Sequence, residues 1–130
     1  MSWQSYVDTS LVGSGKLDAA AIFSVDGKSV WASSAGFVIK PEEIETLVRA
    51  YEGEKNLTDL ASTGFHIGGV KYFTIMSTGR SIYGKQGKAG IVCVKTKQAI
   101  LVAHYGETVQ PGEAATTVEK LADYLIGVGY

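Results

Sequence analysis

The sequence predicts an α+β fold, an antiparallel sheet of about seven strands with helices laid on its faces. Three observations carry that expectation. Helical periodicity appears near both ends of the chain and in its first half. An Asp-Gly pair joins two strand-like runs early on. From Phe65 onward, short β-rich runs with glycine or polar turns follow one another as in an antiparallel meander.

The elements follow in order. Ser2 is placed to cap a first helix. At about 100° per residue, Trp3, Tyr6, Val7, Ser10 and Leu11 share one side, and Gln4, Ser5, Asp8 and Thr9 the other. Gly13 and Gly15 end it. The runs "AAAIFSV" and "SVWASS" flank Asp26-Gly27, a two-residue hairpin signal because both positions tolerate positive φ. "KPEEIETLVRAYEG" reads as a helix. Pro41 suits the first position, Glu42 and Glu43 complement the dipole, and Ile44, Leu47, Val48 and Tyr51 repeat at helical spacing until Gly53. "NLTDLAS" adds a short helix capped by Asn56. "FHI" and "VKYFTIM" flank Gly68-Gly69, and "SIYGK", "GIVCVKT" and "AILVAHY" complete the meander. Pro111-Gly112 opens a last helix whose apolar side carries Ala114, Val118, Leu121, Ala122, Leu125 and Ile126.

Bulk properties narrow the function. With 130 residues the chain is expected to form one domain, residues 1–130, burying roughly two-thirds of its unfolded surface. One cysteine, Cys93, excludes an internal disulfide and fits a reducing compartment. No apolar run reaches the ~20 residues a membrane helix needs, and no leader pattern is present. Ser2 stands where myristoylation needs glycine, and the sequon Asn56-Leu57-Thr58 reads as chance. The expectation is a soluble protein of the cytoplasm.

Nothing in the sequence advertises catalysis, a cofactor or a metal. "GRSIYGKQ" has the glycine and lysine spacing of a phosphate loop. It ends in Gln86 where a Ser or Thr would hold magnesium, and it lies in the meander. "GSGK" at residues 13–16 ends a helix and does not open one. His66 and His104 lack partners at metal-ligand spacing and read as partly buried structural histidines on strands. Cys93, inside "IVCV", reads as a small core residue. No serine lies in a nucleophile elbow. The chain is not expected to be an enzyme.

Charge and aromatic placement are informative. Six cations, Lys71, Arg80, Lys85, Lys88, Lys95 and Lys97, and no acids fall between Asp59 and Glu107. With a total of −1, the rest of the chain must carry a net −7. A basic sheet region therefore opposes acidic helices. It serves either as protection of a solvated face against edge pairing or as a docking site for an acidic protein or an anionic lipid headgroup. Nucleic acid is disfavoured, since the isoelectric point is near 6.1 and no RNA-binding aromatic motif is present. Five rings, Trp3, Tyr6, Trp31, Tyr124 and Tyr130, sit where wheel position or small neighbours leave them partly uncovered. If the terminal helices lie side by side, the rings meet. A row of Trp and Tyr is the usual floor for a proline-rich ligand, whose stiff helix costs little to order. The alternative is that the rings only staple two helices to the sheet.

"SWQSYVD", "RSIYGK" and "LADYLIGVGY" together strongly resemble the profilin family, especially its short fungal and amoeboid type, over the whole chain. The resemblance implies a sheet with the N- and C-terminal helices on one face and one or two shorter helices on the other. It implies a cytoskeletal protein that binds monomeric actin at its barbed-end face, regulating polymerisation and nucleotide exchange. By position, its poly-proline surface falls on Trp3, Tyr6, Trp31, Tyr124 and Tyr130, with Leu125 beside them. Its actin face falls on Lys71, Tyr83, Lys85, Lys88, Gly112, Glu113 and Thr116, with Arg80 nearby. Phosphatidylinositol bisphosphate would use Arg80, Lys85 and Lys88. Proline-rich proteins such as formins are the implied second partners, and a monomer is expected. One position departs: Met76 stands where such profilins often carry an arginine. Three rival classes remain: a dimerising α+β scaffold with buried rings, a lipid binder centred on the basic meander and, last, a nucleotide-hydrolysing enzyme.

Overall fold

The computed structural model describes residues 2–130. Seven strands form one antiparallel sheet: β1 (Ala19–Ser24), β2 (Val30–Ser33), β3 (Phe65–Ile67), β4 (Val70–Ser77), β5 (Ser81–Gln86), β6 (Ala89–Lys95) and β7 (Ala99–Tyr105). Their spatial order is β2-β1-β7-β6-β5-β4-β3, so only the β1–β7 pairing joins strands distant in sequence. The helices are α1 (Trp3–Ser5), α2 (Pro41–Tyr51), α3 (Glu54–Thr63) and α4 (Pro111–Gly127).

The sheet is buried on both sides at its centre. Val92, Val94, Leu101 and Ala103 face a core shared with Val7, Leu11, Val118 and Leu125 of the terminal helices. Ile91, Cys93, Ile100 and Val102 face a second core with Leu47 of α2 and Leu57 and Leu60 of α3. Two covered faces explain why β6 and β7 are continuous apolar runs and not alternating ones. The expected sandwich is present, with terminal helices on one face and the two inner helices on the other.

Four local expectations are corrected. The first helix is not plain α: after Ser5 it widens into a π-helical stretch, Tyr6–Leu11, and tightens into a 3₁₀ turn, Val12–Ser14. Gly13 permits this, because a Cβ there would lie 2.7 Å from the Asp8 carbonyl oxygen. The Asp26-Gly27 hairpin is longer than two residues. Strand β1 ends at Ser24 and β2 starts at Val30, with a register shift between Ile22 and Phe23. Asp26 stabilises this loop by accepting from the Ser24 hydroxyl (2.6 Å) and the Lys28 N–H (2.9 Å). Asn56 does not cap α3, which starts at Glu54 after Gly53. Its side-chain amide instead donates to the Arg49 carbonyl (2.9 Å), closing the end of α2. His66 is exposed on the edge strand β3, not partly buried.

The Gly68-Gly69 turn does have two residues, with φ of 62° and 80°. A nearly buried carboxylate holds it. Glu43 of α2 accepts the N–H groups of Lys40 (2.8 Å), Gly68 (2.9 Å) and Gly69 (2.8 Å), tying a helix start to a hairpin. The glycine of the phosphate-loop look-alike is a mid-strand residue. A Cβ at Gly84 would lie 2.6 Å from the Phe65 ring and 2.9 Å from Tyr72 Cβ. Among the described residues no helix is long and apolar enough to cross a membrane.

Candidate functional site

The five rings come together. Ser2 accepts the Ser5 N–H (3.1 Å) and starts α1, which carries Trp3 outward while Val7 and Leu11 are fully buried beneath. Trp3 is the centre of the group. Its ring centroid lies 4.6 Å from Trp31, 5.6 Å from Tyr6 and 5.1 Å edge-on from Tyr130, and Tyr6 lies 6.2 Å from Tyr124. Such tilted and edge-on pairs suit the ring quadrupoles. Trp3, Tyr6 and Trp31 are half-buried against the core, whereas Tyr124 is 54% and Tyr130 41% exposed. Leu125 differs from the rest: at 1% exposure it lies in the floor beneath the rings and offers almost no surface. Ile126, expected on the apolar side of α4, is half-exposed. Burial first, and the neighbouring Tyr124 and Tyr130 phenols next, raise the Tyr6 phenol above its usual range, so its O–H stays a donor at neutral pH.

Tyr130 is fastened from below. Its main-chain oxygen accepts the Gln98 N–H (2.5 Å) and the Thr96 hydroxyl (2.7 Å), and the Gln98 side chain donates to the Gly129 oxygen (2.8 Å). The β6–β7 turn thereby sets where the last ring stands.

The second surface is the part of the same sheet face that α4 leaves uncovered. Strand β4 pairs Phe73 with Lys85 and Met76 with Tyr83, with a bulge at Ile75 between them. Phe73 is 68%, Ile75 55% and Met76 37% exposed, and the Lys71 ammonium stands 6.0 Å from the Phe73 ring centroid. Sequence reasoning missed Phe73 and Ile75. The signal was available: in "VKYFTIM" the alternation puts both on the side of Lys71, away from buried Tyr72. Lys85 and Lys88 are exposed and make no ion pair among the described residues. At the start of α4, Glu113 pairs with Lys16 (2.9 Å), and Gly112 and Thr116 line a shallow hollow beside them.

The six cations do not form one patch. Lys71, Lys85 and Lys88 lie toward the β5–β6 turn, while Arg80, Lys95 and Lys97 lie at the opposite end of the strands. Arg80 is also committed elsewhere. Its guanidinium bonds Glu119 (3.0 Å) and Asp123 (2.7 Å) of α4, and Asp123 chiefly holds its pKa above the ordinary value. Glu119 accepts further hydrogen bonds from the Ser81 hydroxyl (2.6 Å) and from Tyr83. Burial, then that bond, push the Tyr83 phenol well up. This cluster fastens α4 to β5.

Comparisons with known proteins agree with this geometry. The family model described as Profilin matches residues 1–130. The profilin of Schizosaccharomyces pombe is 57% identical over 130 residues, all of both chains. A crystal structure of Schizosaccharomyces pombe profilin superposes with a TM-score of 0.94 at 56% identity, covering 99% of this chain and 100% of that one. Mouse profilin IIa, solved in complex with a double repeat from the FH1 domain of mDia1, matches with a TM-score of 0.80 at 28% identity, all of both chains being covered.

Proposed function

Because the chain belongs to the profilin family of non-enzymatic actin-binding proteins, we propose that it carries monomeric actin on one surface and proline-rich segments on another. The observation that supports this most is the continuous, water-facing group of five rings around Trp3. A polyproline II helix lays its ring faces on such a floor, and Trp N–H and Tyr O–H groups reach its unpaired carbonyls. The mouse relative bound to a formin repeat supports the same partner class here. Single contacts of this kind are weak, on the order of micromolar, which suits repeated delivery.

The actin surface combines Lys71, Lys85 and Lys88 with the exposed Phe73, Ile75 and Met76 and with Gly112, Glu113 and Thr116. Tyr83 and Arg80 act there as supports of α4 more than as free contacts. An apolar centre rimmed by cations fits a protein partner with an acidic rim. Capping the barbed-end face of the monomer blocks nucleation and favours nucleotide exchange. Because the two surfaces share no residue, one molecule holds both partners and raises the concentration of actin near a growing filament end. Phosphatidylinositol bisphosphate competes through Lys85 and Lys88. Arg80, about 17 Å away along the strand and already paired, contributes less. The protein works as a monomer in the cytoplasm.

Two assays test the reading. Retention on poly-L-proline resin is expected for the wild type. In pyrene-actin assembly, micromolar protein is expected to slow spontaneous polymerisation, and Met76→Arg to slow it further by adding a cation at the interface. Unchanged assembly at high micromolar excess would overturn the actin assignment.

A further inference from the structure

On the sheet face opposite the rings, a cavity of about 320 Å³ opens between the loop after β2, the Gly68-Gly69 turn and the ends of β1 and β7. Its walls are apolar: Phe37, Val38, Ile67 and Val70. Val38 is 72% and Val70 37% exposed, more than two valines side by side need be. Two polar groups meet inside. The His104 imidazole is clamped through Nδ1 by Asp18 (2.5 Å), and a carboxylate has no proton to give, so Nδ1 carries the hydrogen. Its other ring nitrogen, Nε2, has no protein partner among the described residues. Tyr72 lies edge-on to that ring at 6.3 Å and is only 2% exposed, yet its hydroxyl bonds no described residue. No described side chain hides an unpartnered polar atom from solvent, so this hydroxyl keeps some access to solvent, and Tyr72 is one of the residues that line the cavity. Burial keeps the phenol protonated, its pKa pushed up to about 12.

We propose that this cavity binds a small, uncharged apolar molecule of single-ring size bearing one hydroxyl. The ligand hydroxyl accepts from Tyr72 and donates to Nε2 of His104, and the four apolar side chains line the rest of the open cavity. The volume sits at the lower limit of small-molecule sites, which is why one ring is the size class. The site is independent of both surfaces assigned above.

Titration of the full chain with 4-methylphenol, followed by ¹H–¹⁵N spectra, tests this. Saturable shifts are expected at the amides of Gly36, Val38, Gly68 and Val70. Tyr72→Phe deletes a hydroxyl that holds nothing in the protein, so it should fold and melt as wild type but bind about tenfold more weakly. 4-Methylanisole, which has no proton to donate, should bind wild type as weakly. Shifts that do not saturate, that appear only on the ring-bearing helices, or that are equal in Tyr72→Phe would each overturn the assignment.

Discussion

Gly84 and Trp3 show two ways in which one residue decides the outcome. At Gly84 a methyl group would press on the Phe65 ring and on Tyr72 within a closed core. Gly84→Ala is expected to lower the unfolding free energy by about 1–3 kcal/mol, read as a lower urea midpoint. At Trp3 the ring touches Tyr6, Trp31 and Tyr130, while burial of the helix rests on Val7 and Leu11. Trp3→Ala is therefore expected to lose poly-L-proline retention by more than tenfold. Its far-UV circular dichroism should stay near that of wild type, and a collapsed spectrum would reassign the ring to folding. Residue-level legibility was uneven for a physical reason. Wheel position exposed Tyr124 and put Leu125 on the buried side, as the structure has it, but it also put Ile126 there, which is half-exposed, because a wheel does not say how wide the covered stripe is.

At the scale of elements, α4 matters most because each end lies in a different one of the two proposed surfaces. Arg80, Ser81 and Tyr83 fasten its middle through Glu119, and the β6–β7 turn fastens the stretch after it through Tyr130. Thr96→Val combined with Gln98→Ala removes two donors to Tyr130 and Gly129 but leaves the Gln98 main-chain bond. Poly-proline affinity is expected to fall about fivefold, since each lost hydrogen bond is worth about 0.5–1.5 kcal/mol and only part of that is felt at the ring. Actin inhibition should be unchanged. If retention is unchanged too, the turn does not position the ring. Element existence was largely legible, since periodicity and glycine placement act over a few residues. The π-helical stretch was not, because a wheel at about 100° per residue assumes α geometry throughout. The cap role of Asn56 was also missed, because its acceptor, Arg49, belongs to the preceding helix.

For the molecule as a whole, two separable faces are the central expectation. Lys85→Glu with Lys88→Glu should abolish the effect on pyrene-actin assembly and leave poly-L-proline retention intact, while Trp3→Ala should do the reverse. Joint loss in either variant would mean that the faces are not independent. Alkaline stability is a second global property. Tyr72 is raised to about 12, and burial also raises Tyr51, Tyr83 and Tyr105 above the ordinary value. The folded state thus holds phenol protons that the unfolded chain releases near pH 10, so ν_N exceeds ν_U above that pH. This contribution is fully present below pH 10 and is lost as pH rises toward 12. Melting temperature should therefore fall steeply over that window, and a flat profile would contradict the burial of these phenols.

By itself the sequence determined the α+β class, the order of elements, both covered faces of the sheet and the set of rings at the two ends. These follow from local period, glycine placement and the solvent preference of each side chain, which need no partner to be read. Only the tertiary structure decided which charges remain available. Arg80 and Glu119 are 39 positions apart, and their pairing removes from the basic set a cation that the sequence counted as free. It likewise split that set between opposite ends of the strands and brought Asp18 to His104 across 86 positions. The reason is that Coulomb and hydrogen-bond energies depend on distance in space, which composition and spacing do not contain.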